Sequence, residues 1–179
     1  ATLDLKEASD RVSLTLVKRL FSGTGLLEPL LATRTSQTEL PDGRILPLRK
    51  FAPMGSALCF PVEALCFYAL AEAIRREWRI KGKIYVYGDD LIVPRRLVSL
   101  LFDHFPTWGL RFNEDKCFEK GFFRESCGCD AYNGHHINPV RMRKLWPKSR
   151  RDAHSVASAV DFVNRLFMAG YWYTANFLE

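Results

Sequence analysis

No stretch of this 179-residue chain is long and apolar enough to read as a membrane span. The longest apolar run, Ala57 to Ile74, is interrupted by Pro61, Glu63 and Glu72, and charges at bilayer depth are costly. It reads as a buried helix, and no membrane partner is expected. Cysteine is sparse: Cys59, Cys66, Cys117, Cys127 and Cys129 make an odd set without the spacing of a small secreted disulfide scaffold, and no signal peptide precedes them. A reducing cytoplasm and buried free thiols are expected. Cys117, Cys127 and Cys129 lie near His135 and His136, but the paired C-x₂-C spacing of a structural zinc site is missing, which argues against zinc. There is no internal repeat and no low-complexity linker. There is also no initiator Met: Ala1 to Leu5 opens inside an apolar, strand-like run, and the chain reads as cut from something longer.

What is present is a basic, core-forming composition. The chain is 47% hydrophobic, enough for one domain with a real core. Its formal charge of +6 favours an anionic partner, most commonly nucleic acid.

Pattern predicts a strand over Ala1 to Leu5, then a helix over Asp10 to Phe21 with Ser9 as its N-cap. A short helix over Leu26 to Ala32 follows, and then a hairpin whose arms, Thr33 to Glu39 and Arg44 to Phe51, flank Pro41-Asp42-Gly43. The loop Ala52 to Ser56 feeds a long helix over Ala57 to Arg79, with Pro61 tolerated near its opening turn. A hairpin over Lys83 to Pro94 and a helix over Arg95 to Phe105 come next. Short strands are expected at Leu110 to Asn113, Cys117 to Glu119, Phe122 to Ser126 and around Tyr132 to Ile137, and Asp152 to Phe177 is mostly helical. The fold class is α+β, an antiparallel sheet packed on helices.

The tetrapeptide Tyr87-Gly88-Asp89-Asp90 lies between Ile84-Tyr85-Val86 and Leu91-Ile92-Val93. It reads as a tight hairpin carrying two carboxylates at its tip. Adjacent aspartates at a turn repel one another, and a hard divalent cation is the ligand that rewards the placement. Asp4, between Leu3 and Leu5, is a second costly carboxylate in an apolar strand. If that strand lies beside the hairpin, Asp4 and Asp89 come together, as in sites where two metals, about 3.5–4 Å apart, serve phosphoryl transfer.

Asp4-Leu5-Lys6-Glu7-Ala8-Ser9-Asp10, Pro53-Met54-Gly55-Ser56, Tyr87-Gly88-Asp89-Asp90 and Phe123-Arg124-Glu125-Ser126-Cys127-Gly128 follow one another in this order. The ordered set resembles viral RNA-dependent RNA polymerases, and more closely the replicase subunit of the single-stranded RNA bacteriophages, the leviviruses. The resemblance runs from Ala1 to at least Arg143. It implies a polymerase palm over residues 1–143 with a small, RRM-like antiparallel sheet. Residues 144–179 would then be a basic linker and helical segment at the start of a thumb, and a fingers region would be missing. The implied activity is RNA-directed RNA synthesis for viral genome replication, by two-metal nucleotidyl transfer with two Mg²⁺, or Mn²⁺ as substitute.

The resemblance makes Asp4, Asp89 and Asp90 metal ligands, with the Leu5 carbonyl as an additional one. Lys116 becomes the general acid for departing pyrophosphate. Asp10, or Ser9, would sense the ribose 2′-hydroxyl, and Gly55 and Glu63 belong to the loop and helix beside the nucleotide. Met54, Cys59 and Glu63 replace the serine, threonine and asparagine of many viral polymerases, and Glu63 as a carboxylate lacks an amide's donors. Arg124 would contact nascent-strand phosphate. Arg141, Arg143 and Lys144, with Lys148, Arg150 and Arg151 around Trp146, suit RNA backbone and bases. The implied partners are template and nascent RNA, nucleoside triphosphates and host translation proteins, in the cytoplasm of an infected bacterium. The isolated chain is expected to be inactive. Two other readings stay open: a reverse transcriptase-like palm, and a non-catalytic RRM-like module, which should show stacking aromatics on its sheet.

Overall fold

The computed structural model describes residues 1–149 and 151–179, which form two compact units, Ala1–His136 and Ile137–Glu179. Arg150, part of the basic run, lies outside the described residues. The architecture is mixed α and β, with seven α-helices and small antiparallel sheets among the described residues.

The first unit is built on strand β1 (Thr2–Asp4), which pairs antiparallel with β5 (Asp90–Ile92), itself the second arm of a hairpin with β4 (Tyr85–Tyr87). The order is β1-β5-β4. The other edge of β1 is taken by residues 111–118. Leu5 bridges Phe112 and Thr2 bridges Phe118, where two strands were expected and only isolated bridges form. The 3₁₀ turn Glu114–Lys116 between the bridges prevents a continuous ladder. Side chains alternate across the sheet: Leu3 and Leu91 are completely buried, while the next row sets Asp4 against Asp90.

Helix α4 (Cys59–Glu77) covers the buried face, placing Val62, Cys66, Phe67, Leu70, Ala71 and Ile74 inward at helical spacing. Pro61 sits in its first turn, as its missing N–H allows. The helix expected over Asp10 to Phe21 is instead two, α1 (Ala8–Arg11) and α2 (Leu14–Leu20). The break has a clear cause. Val12 gives its carbonyl to the Phe51 N–H (2.8 Å) and Leu14 donates to the Arg49 carbonyl (2.9 Å), so this stretch leaves the helix to pair with the chain at 49–51. Ser13, not Ser9, is the cap, its Oγ accepting from the Leu16 N–H at 3.1 Å.

Helix α3 (Leu27–Thr33) and the hairpin of β2 (Gln37–Glu39) and β3 (Ile45–Pro47) follow. Arg34 fastens the hairpin's exit: its guanidinium donates to the carbonyls of Phe51 (2.9 Å), Leu48 (3.1 Å) and Lys50 (3.1 Å). Replacing Arg34 with Met leaves those acceptors without it and is expected to cost about 2 kcal/mol, read by urea melts. An unchanged midpoint would show that water replaces the guanidinium.

The helix expected over Arg95 to Phe105 is shorter, α5 (Val98–His104), between 3₁₀ turns at Arg95–Leu97 and Phe105–Trp108. A second sheet contains β6 (Phe123–Ser126), β7 (Cys129–Tyr132) and β8 (His135–His136) in that order. Both of its turns have two central residues at positive φ, Cys127-Gly128 and Asn133-Gly134, the pattern of type I′ hairpins. In the second unit, α6 (Ala153–Met168) is capped by the Asp152 carboxylate, which accepts from the Ser155 N–H at 3.1 Å. Gly170, at φ 86, separates it from α7 (Trp172–Leu178). Val163, Leu166 and Ala175 form the small core of this unit.

The expectation of buried thiols holds for Cys66, which is fully buried, but Cys127 and Cys129 are exposed. Both flank or occupy a tight turn, where side chains point into solvent.

Candidate active site

The β4–β5 turn places the aspartates. Gly88 and Asp89 are its two central residues; Gly88 has φ 59, and Asp89 is not at positive φ. Glycine at the first of two central positions suits a type II′ turn, whose twist matches the paired strands. A Cβ at Gly88 would also stand 2.5 Å from Phe60 Cε2, and Phe60 meets Tyr87 edge to face with centroids 4.9 Å apart. Gly88→Ala is therefore expected to cost about 1–3 kcal/mol in thermal or urea melts. Phe60→Ala in the same chain should recover the part due to the clash.

Asp4 lies directly across from Asp90 in register, and the Leu5 N–H donates to the Asp89 carbonyl at 3.0 Å. The hairpin and the first strand do meet, and three carboxylates occupy one end of the sheet. Asp4 is 8% exposed, and its Oδ2 receives Lys116 Nζ at 3.4 Å. That carboxylate raises the pKa of Lys116, keeping its proton on. The Asp90 carboxylate accepts the Cys127 N–H at 2.9 Å, which fastens the Phe123–Gly128 hairpin to the same place. Partial burial pushes the Asp89 carboxyl above its usual range, and the charges of Asp4 and Asp90 push it further, against Lys116. Negative charge is left undercompensated here, and hard carboxylate oxygens are the donor set that suits a divalent cation. Among the described residues no group of three or more His, Cys, Asp or Glu side chains is arranged to hold a metal ion. Sharing one therefore requires the carboxylates to turn toward one another, which the exposed tip position of Asp89 permits. Cys117, Cys127, Cys129, His135 and His136 form no such group either.

A cavity of about 470 Å³ opens beside the hairpin tip and brings together Ser9, Asp10, Gly55, Glu63 and Asp89. Five residues singled out in the sequence thus line one space. Gly55 has φ 93, a backbone shape that only glycine adopts cheaply. Glu63 is buried, 8% exposed, with Oε2 finding no hydrogen-bond partner. Burial first, and then the charge of Asp89, raise its pKa to about 7. Burial pushes the neighbouring Cys66 thiol up to about 12.

Asp10 forms an ion pair with Lys50, a residue the sequence did not flag; no motif marks it, and only the pairing of residues 12–14 with 49–51 brings it there. The Cys127 N–H was equally hidden, although Cys127-Gly128 between two strand-like runs was a usable turn signal. Arg124 spends its guanidinium on the carbonyls of Glu119, Lys120 and Gly121, holding the loop that leads into β6. Arg141, Arg143, Lys144 and Trp146 are exposed in the second unit.

The family model described as RNA replicase, beta-chain, matches residues 1–150. The chain belongs to the RNA replicase beta-chain family. The RNA-directed RNA polymerase subunit beta of Qbeta virus (strain MX1) is 35% identical over 177 residues, covering 98% of this chain. The corresponding subunit of Enterobacteria phage SP is 37% identical over 145 residues, or 80% of the chain, and the RNA-directed RNA polymerase beta chain of Escherichia phage MS2 is 32% identical over 144. These replicase chains are far longer: this one spans 28%, 25% and 26% of their respective lengths. Among the described residues no helix is long and apolar enough to cross a membrane.

Proposed function

We propose that this chain is the catalytic palm of an RNA-directed RNA polymerase that replicates a phage RNA genome. The carrying observation is the placement of Asp4 opposite Asp90, with Asp89 at the turn beside them and Lys116 on Asp4. Asp4, Asp89 and Asp90, with the Leu5 carbonyl, would hold two Mg²⁺ ions, or Mn²⁺. When bound, such ions lower the pKa of the attacking 3′-hydroxyl and stabilise charge on the transferring phosphoryl group. The chain's own residues do the rest. The cavity of Ser9, Asp10, Gly55 and Glu63 orients the ribose of the incoming nucleotide, with Asp10 accepting a hydrogen bond from its 2′-hydroxyl. Lys116, kept protonated by Asp4, donates a proton to the departing pyrophosphate or neutralises it. Arg141, Arg143 and Lys144 hold RNA backbone, and Arg124 braces the hairpin beside the nascent strand. The family resemblance extends the reading to the cytoplasm of an infected bacterium, with host translation proteins as further subunits.

Equilibrium dialysis with labelled UTP and dUTP tests this on the chain itself. Mg²⁺-dependent binding that favours UTP at least about fivefold is expected, with Asp10→Ala removing the preference. Equal binding of the two would favour a reverse transcriptase-like palm. No Mg²⁺-dependent binding, with RNA affinity retained, would favour a non-catalytic RNA-binding module.

A further inference from the structure

At the opposite end of the β4–β5 hairpin from the aspartates, a groove of about 730 Å³ runs between the end of α4 and the start of α5, lined by Trp78, Arg79, Lys81, Arg96 and Ser99. Residues 78–83 and 94–99 hold five cations and no acid. The arginines just before them differ in kind: Arg75 and Arg76 are both locked onto Glu72 at 2.7 Å, whereas Arg79, Lys81 and Arg96 make no ion pair with any described residue.

The turn that presents them is built. Helix α4 ends in a Schellman motif, the Ile80 N–H donating to the Arg75 carbonyl (2.9 Å) and the Arg79 N–H to the Arg76 carbonyl (3.1 Å). Arg75 braces it further by donating to the Ile80 carbonyl at 2.8 Å. The position after the cap calls for a left-handed residue and is normally glycine. Here it is Arg79, at φ 50. A bulky cation in this backbone region is strained, and such strain persists where function rewards it. Gly82 then lets the chain close onto Pro94, where a Cβ would stand 2.6 Å from the ring's Cγ, and Lys81 and Arg96 line the same groove. Trp78, which caps the helix, is 56% exposed, an unusual state for so large an aromatic.

We propose that this groove is a second RNA-binding site, taking single-stranded RNA with its phosphates on Arg79, Lys81 and Arg96 and a base stacked on Trp78. Unpaired cations around an exposed indole form a single-strand platform. An acidic protein surface would also satisfy the cations, and polyglutamate stands for it in the test; the exposed indole beside them favours RNA, in which every base has a face to stack. The site lies outside the proposed catalytic centre and does not depend on that reading.

The test uses this chain with a fluorescein-labelled oligouridylate. The triple variant Arg79→Gly, Lys81→Gln, Arg96→Gln is expected to weaken binding at least tenfold near 0.1 M salt. It should also reduce the slope of log K against log salt by about 2, as three lost phosphate contacts require. Trp78→Leu alone should weaken binding about fivefold or more. Arg79→Gly alone should lower RNA affinity while melting no lower than the parent, because glycine relieves the strained position. Arg44→Gln, at an exposed cation paired with Asp42, serves as the control and should leave this affinity in place. Unchanged affinity and salt slope in the triple variant would overturn the proposal. So would loss of polyglutamate binding with RNA binding intact, or an Arg79→Gly chain that melts lower than the parent.

Discussion

Asp89→Asn is expected to weaken Mg²⁺-dependent UTP binding by at least about 30-fold while leaving RNA affinity unchanged or slightly raised. Asp89 sits at the exposed tip of the turn, without an ion-pair partner among the described residues, and carries a carboxyl whose pKa is raised by partial burial and by its acidic neighbours. An amide of the same shape keeps the turn and removes the charge, so the proposed metal site would lose its principal ligand while the fold loses nothing. Asp90→Asn should have a smaller effect, a few-fold, because the Asp90 side chain is already committed to the Cys127 N–H. Binding in the two variants is read by equilibrium dialysis at matched free Mg²⁺, and equal losses would remove the distinction between principal and auxiliary ligand.

Glu63→Gln should make the chain more stable than its parent by about 3 kcal/mol at pH 8, but by less than about 1 kcal/mol at pH 5. The folded pKa of Glu63 is about 7 against an ordinary 4.5. Between those values the folded chain holds a proton that the unfolded chain has released. Stability therefore falls as pH rises through that window and stays lower above it. Each tenfold difference in proton affinity is worth about 1.4 kcal/mol, and the group is buried enough for little of this to be screened. Glutamine keeps the shape and does not titrate. Urea melts in EDTA at the two pH values measure the effect, and a pH-independent difference would show that Glu63 is ionised throughout.

Much of this site could be read in the sequence because its residues carry costs that a sequence displays. Asp4 in an apolar strand, two aspartates after Gly88, and a glycine loop before a long apolar helix each mark a departure from ordinary composition, and the fold gathers them. The register that sets Asp4 against Asp90 follows from the alternation of Leu3 and Leu91 into the core. Other features escaped for physical reasons. The break between α1 and α2 depends on hydrogen bonds to residues about 35–40 positions away, which local helix periodicity cannot register. Lys50 reaches Asp10 by the same long-range pairing, and Arg34 reaches its three carbonyls across the base of the β2–β3 hairpin. The bond from the Cys127 N–H to Asp90 is made by backbone, which no side-chain pattern encodes. The strands expected over 110–119 fail because the turn at Glu114–Lys116 interrupts them, and that turn is what points Lys116 at Asp4.

The carboxylates of Asp4, Asp89 and Asp90 are proposed to bind a divalent cation together. Paramagnetic broadening by Mn²⁺ in amide spectra of the chain measures this directly. At low Mn²⁺, signals of Asp4, Leu5, Asp89 and Asp90 should vanish first, and both Asp4→Asn and Asp89→Asn should abolish the effect. Broadening centred elsewhere, or unchanged in either variant, would contradict the claim.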